Sequence, residues 1–178
     1  MNQIQNPPAP ALNMTTPSVV KASQVSASAS QYLTLRLGTE EYAIDILRVQ
    51  EIRSYEEPTR MVNAPAFVKG IINLRGVIVP IVDLRMKLNI ANIEYNEFTV
   101  VIMLNVHDTV IGAVVDGVSD VVSLTAQAIK PAPQFDSRID ARFITGIADV
   151  GGRMLIVMNM EALLSNAEMG MVSAASQG

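Results

Sequence analysis

Hydrophobic and polar positions alternate from Tyr32 onward: Leu33, Leu35 and Leu37 point one way, Gly38-Thr39-Glu40-Glu41 turns the chain, and Tyr42, Ile44 and Ile46 return. This period of two predicts a hairpin with one buried face. Val49-Gln50-Glu51-Ile52 suits strand or helix; as a strand it displays Val49 and Glu51 together, with Ile52 on the opposite face. Residues 67–85 read F-V-K-G-I-I-N-L-R-G-V-I-V-P-I-V-D-L-R, two apolar runs about Asn73-Leu74-Arg75-Gly76. An Asx first and a Gly fourth favour a type I turn, so this is a second hairpin with Arg75 at its tip. Pro65 and Gly70 suit the start and stop of a short helical turn leading into it. Pro80 cannot donate to a ladder, which places its strand at a sheet edge or a bulge.

Residues 98–106 and 110–115 are nearly continuous in apolar side chains, the pattern of strands covered on both faces, so this hairpin is expected deeper than the first. Residues 123–142 read as a long loop with one short helical turn, and Asn159 can cap a final helix carrying Met160, Leu163 and Leu164 at helical spacing. A repeat underlies this order. Shifted by 76 positions, Phe67–Leu84 falls on Phe143–Met160, with Phe67, Gly70, Ile71 and Gly76 recurring as Phe143, Gly146, Ile147 and Gly152. The first hairpin meets the 98–115 hairpin at a shift of 69. The chain is therefore mainly β, with short helices and two copies of a short-stranded unit, roughly 31–90 and 97–165, between which strands can be exchanged. Each copy has strands enough for a small closed or half-open barrel.

Composition narrows the function classes. The chain has 178 residues, 49% hydrophobic and 17% charged, with a formal net charge of −4, which fits one soluble globular domain or two very small ones. No apolar run approaches the roughly 20 residues of a membrane helix, so direct membrane contact is not expected. The acidic balance and the absence of Trp argue against a nucleic-acid surface, which needs clustered cations and stacking rings. No Cys is present, which removes disulfides and thiolate chemistry and is compatible with the cytoplasm. Residues 1–30, with four Pro, five Ser and Lys21 as their one charge, cannot bury enough surface to offset their ordering entropy and read as a disordered tail; residues 171–178 read as a frayed end.

The candidate chemistry is sparse. His107, beside Asp108 at a hairpin tip, has no evident partners and is given no role. Asp116 and Asp120 could supply a carboxylate pair for an acid–base hydrolase, but no nucleophile, phosphate loop or metal-ligand spacing accompanies them; Asp83 stands where an N-cap belongs, as does its repeat equivalent Asn159. No cofactor or metal site is expected. Arg75 differs, because the second copy builds the same turn with Gly151 and so does not need the cation.

Three motifs carry a resemblance: E-E-Y-A-I-D-I-L-R-V-Q-E-I at 40–52, G-I-I-N-L-R-G-V-I-V-P-I-V-D-L-R at 70–85, and V-V-D-G-V-S-D-V at 114–121. In order and spacing they resemble the CheW family of bacterial chemotaxis coupling proteins over about 31–170. The resemblance implies two small five-stranded SH3-like β-barrels packed over a shared hydrophobic core. It implies a non-catalytic adaptor between chemoreceptor cytoplasmic tips and the regulatory domain of the histidine kinase CheA, at membrane-associated arrays in the cytoplasm. Carried over by residue, it implies a receptor-binding face of Val49, Glu51, Arg75 and Val121, and a kinase-binding region that includes Phe67, Gly70 and Asn73. A CheW-like scaffold of a signalling system other than motility fits the same motifs.

Overall fold

The computed structural model describes residues 28–133 and 139–169. The expected disordered tail lies outside this range up to residue 27, as does the expected frayed end 171–178; the first strand opens at Ser30. Ten strands follow: β1 Ser30–Leu37, β2 Glu40–Asp45, β3 Val49–Ser54, β4 Val68–Leu74, β5 Val77–Asp83, β6 Val100–Val106, β7 Thr109–Val115, β8 Gly117–Leu124, β9 Ile144–Val150 and β10 Arg153–Met158. Three four-residue helices accompany them, α1 Leu84–Lys87, α2 Met160–Leu163 and α3 Asn166–Met169, so the expected final helix is two short pieces.

The strands form two five-stranded sheets, β8-β1-β2-β10-β9 and β3-β6-β7-β5-β4. Under the sequence repeat, β1–β5 correspond to β6–β10, and the two sheet orders then become the same order. Each sheet takes its leading hairpin from one copy and its other three strands from the other copy. The sheets therefore do not divide the chain at residues 90–97. The chain crosses between sheets twice, through the 3-10 turn Ile46–Arg48 and through Asp116 alone.

In each sheet the chain beyond the β3-type strand curls round to the far edge. Thr59 bridges Ile71 of β4, and Lys130 bridges Ile147 of β9, each through a reciprocal pair of backbone hydrogen bonds. This closure explains the recurring glycines. A Cβ on Gly70 would stand 2.0 Å from the Thr59 carbonyl oxygen, and one on Gly146 2.4 Å from that of Lys130. It also corrects two expectations. Gly70 lies inside β4 beside a register shift instead of ending a helix, and Pro65 accepts the Val68 N–H in a turn; the β4 ladder claims this stretch. Pro80 is buried in an interior strand, between β4 and β7. Its partner Ile71 turns both backbone groups toward Thr59, and pairing with β7 begins only at Ile81, so the missing Pro80 donor falls where no acceptor waits.

The β4–β5 turn is also tighter than a type I turn over 73–76. Leu74 pairs with Val77, leaving Arg75 and Gly76 as a two-residue loop with φ of 51° and 87°. Two positive φ values are the mark of the type I′ hairpin, which matches the strand twist. Gly151 and Gly152 do the same in the β9–β10 turn, at 59° and 84°.

Packing divides by strand face. Val101 and Met103 of β6 join Val79, Ile81 and Val114 inside one sheet, and Ala43, Leu155 and Val157 fill the other. Ile102, Leu104 and Val106 face a larger cluster shared with Leu33, Leu35, Leu37, Tyr42 and Ile44 of the opposite sheet. The 98–115 hairpin is thus covered on both faces, as its continuous apolar pattern requires.

One charged cluster lies inside. Asp83 caps α1 by accepting the Arg85 N–H, and Arg85 clamps both oxygens of Asp83 at 2.9 and 2.8 Å; both residues are fully buried. Arg85 also donates to the Glu94 carbonyl and to Asp116, and the Tyr95 hydroxyl donates to Asp83 at 2.7 Å. Burial by itself would raise the Asp83 pKa, but the Arg85 and Tyr95 hydrogen bonds outweigh it and hold the carboxyl below its ordinary value.

Three variants check this account. Gly70→Ala must push the closing strand away as well as occupy a φ of 145°; it should lose at least about 2 kcal/mol in denaturant unfolding. Gly76→Ala, which meets nothing within 4 Å, should lose only about 1 kcal/mol. Since the folded Asp83 pKa is depressed, its contribution is fully present above the unfolded value near about 4 and lost as pH falls through the folded value. In an acid titration of unfolding free energy, Asp83→Asn should be less stable at neutral pH and show a shallower decline below about pH 4; an unchanged slope would contradict the assignment.

Candidate functional site

The β3-type strand and the β4–β5-type hairpin lie toward opposite ends of each sheet order, yet charged pairs join them. On one sheet Arg75, at the β4–β5 tip, meets Glu51 of β3 at 2.7 Å. The Arg75 side chain remains 75% exposed and Glu51 28%. On the other, Asp120 occupies the Glu51 position of the repeat, and Arg153 of β10 reaches it at 3.1 Å while holding Glu41 of β2 at 2.7 Å. Thr34, buried in β1, hydrogen-bonds Asp120 through both its carboxylate and its backbone. Hydrogen bonds from Arg153 and Thr34 hold the Asp120 carboxyl below its ordinary value. The acid thus keeps its place in both copies, whereas the arginine comes from the turn in one and from the first strand residue in the other.

Arg75 therefore has its guanidinium aligned by Glu51 and its backbone in the left-handed region. Val49 lies two residues before Glu51, half-buried against the shared core, with a register shift between them. Ile52, Val77 and Ile78 add exposed apolar surface on β3 and β5. Val121 is exposed on β8, an outer strand of the other sheet, at the repeat position of Ile52. The structure thus joins Arg75 to Glu51 directly and sets Val121 across the boundary between sheets.

Phe67, Gly70 and Asn73 lie along the entry to and length of β4. Phe67 is half-buried, with the Lys87 ammonium 4.5 Å from its ring centre, and Lys87 in turn reaches Glu168 of α3. Gly70 is buried and has only backbone to offer. Asn73 is exposed and accepts the Gly76 N–H, as Asp149 accepts that of Gly152 in the twin turn.

The carboxylates weighed for acid–base work are engaged separately: Asp116 by Arg85 and by the Gly38 N–H, Asp120 by Arg153 and Thr34. His107 sits exposed in a left-handed turn. Among the described residues no group of three or more His, Cys, Asp or Glu is placed to hold a metal ion, and no helix is long and apolar enough to cross a membrane. Sequence reasoning overlooked Arg85 and Arg153. The repeat carried a signal for the first, since Arg85 falls on Glu161, a charge reversal two residues after two equivalent helix caps.

The CheW-like domain family matches residues 31–168. The chemotaxis protein CheW of Klebsiella aerogenes is 54% identical over 142 residues, covering 80% of this chain and 86% of that protein. CheW of Bacillus subtilis is 32% identical over 125 residues, covering 70% and 80%. Among solved structures, the scaffolding protein TtCheW from Thermoanaerobacter tengcongensis superposes with a TM-score of 0.72 at 29% identity, covering 77% of this chain and 93% of its own. With the two interleaved five-stranded sheets, these likenesses show that the chain belongs to the CheW family of chemotaxis scaffold proteins.

Proposed function

We propose that this chain couples chemoreceptor cytoplasmic tips to the regulatory domain of the histidine kinase CheA, acting by binding alone from the cytoplasm at membrane-associated arrays. The CheW-like domain over 31–170 carries the activity in this reading, and neither the tail 1–30 nor the end 171–178 is needed for it. The receptor face comprises Val49, Glu51, Arg75 and Val121. Phe67 and Asn73 serve the kinase face with their side chains, and Gly70 serves it through its backbone.

The observation that carries this reading is the backbone of Arg75. A left-handed conformation costs a non-glycine residue about 1–2 kcal/mol, the twin hairpin avoids that cost with Gly151, and yet an arginine stands at this exposed tip. An exposed ion pair with Glu51 returns no more than about 1 kcal/mol, so fold stability does not account for the choice. A guanidinium held in place by Glu51 presents its remaining donors to carboxylates or helix-end carbonyls of a partner.

Arg75→Gly is therefore expected to melt within a few degrees of the parent, since relief of strain offsets the lost pair. Its affinity for a receptor cytoplasmic fragment should fall at least about tenfold, with affinity for the kinase regulatory domain kept. Titration against both partners decides this, and unchanged receptor affinity or equal loss to both refutes the assignment. The absence of a catalytic constellation among the described residues motivates a second expectation. The purified chain should not turn over ATP or phosphoesters, while receptor-dependent kinase autophosphorylation should require it; turnover by the chain alone, free of contaminants, would overturn the binding-only reading.

A further inference from the structure

The proposed receptor face spans two sheets: Glu51 and Arg75 belong to one, and Val121 to the other. A face so divided is usable only when the sheets hold one relative orientation. The shared apolar core keeps them together, but apolar contact is non-directional and tolerates rotation. Directional bonds must supply the rest.

Asp116 is placed to supply them. It is the single residue between β7 of the first sheet and β8 of the second. One carboxylate oxygen accepts from Arg85 Nη1 at 2.8 Å, and Arg85 is rooted in the buried cluster where β5, the strand that begins at the Arg75 turn, ends. The other oxygen accepts from the Gly38 N–H at 2.7 Å, in the β1–β2 turn of the opposite sheet. Its own N–H donates to the Arg36 carbonyl at 3.0 Å, and β1, which carries Arg36, is the strand that pairs Val121 through Leu33. One carboxylate thus bridges the strand leading from Arg75 and the hairpin that positions Val121. The other crossing is tied by Arg48 to Glu161, a pair whose side chains are 42% and 36% exposed. Screening and solvent make that tie a weaker constraint.

We infer that Asp116, acting through Arg85 and Gly38, is a positioning residue that sets Val121 in register with Arg75 and so completes the receptor face. This rests on the receptor face proposed above.

Asp116→Asn tests it on the full chain, because the amide has one acceptor oxygen for two donors and one of the links must break. The variant should keep affinity for the kinase regulatory domain and lose receptor-fragment affinity at least about fivefold. Val121→Ala should then weaken receptor binding markedly in the parent but little in the Asn background, a non-additivity that simple loss of stability would not produce. Should the Asn variant not fold at the assay temperature, Asp116→Glu, which retains the charge and shifts the carboxylate by one methylene, should show the same split between partners. If Arg75→Ala and Val121→Ala both leave receptor binding intact, the receptor face itself falls, and this inference with it. If those two weaken binding but the Asp116 variant binds the receptor normally, loses both partners equally, or adds independently to Val121→Ala, the positioning role alone is overturned.

Discussion

The reciprocal exchange of hairpins constrains everything else in this molecule. Because each sheet takes two strands from one copy and three from the other, neither copy completes a sheet by itself, and the chain must pass twice between sheets. The second passage is the more severe, a single residue between two strands. A crossing that short leaves backbone groups without ladder partners, and Asp116 answers with its N–H on Arg36 and its carboxylate on Gly38 and Arg85. The buried Asp83–Arg85 pair is the anchor behind it. Such a pair is not in itself a net source of stability, since desolvation offsets much of the coulombic gain. Its value here is direction: four guanidinium hydrogen bonds from a rigid fork go to Asp83, Asp116 and Glu94, which fixes the start of α1, the crossing and the link between copies relative to one another.

A second regularity is the closing of each sheet on itself. The Thr59 and Lys130 bridges bring the edges together, and an acid–arginine pair spans the same gap near the turn in each case. Where the closing segment meets the far-edge strand, both copies keep glycine, at 70 and 146. Where the outer surface alone was concerned, the copies diverged, with Arg75 against Gly151 and Val77 against Arg153. The twin pairs show how an element of closure can acquire a second use. The Arg153 side chain is spread over Glu41 and Asp120 within its sheet, whereas Arg75 stands on a strained tip with a single carboxylate to orient it.

The sequence by itself determined the hairpins and the repeat, but it left β3 open between strand and helix and did not mark β8 as a strand. Alternation in 33–46, continuous apolar runs in 98–115, and cap residues at 83 and 159 are local signals, and local backbone preference decides hairpins and helix starts. It also pointed to Arg75, because the internal copy served as a control for what the turn requires. Which hairpin joins which sheet was decided only by tertiary structure. Two copies with the same pattern can pair within themselves or with each other at nearly the same local cost, and the choice rests on the shared core and on the length of the crossings. The same holds for Pro80. Its missing donor made an edge the natural place, but an interior strand accommodates it once Ile71 turns toward Thr59 and β7 begins one residue later. Arg85 and Asp116 were least legible. They lie 31 residues apart, and a buried charge looks like a surface charge in sequence until the fold brings its partners from α1, the crossing and the link between copies to one point.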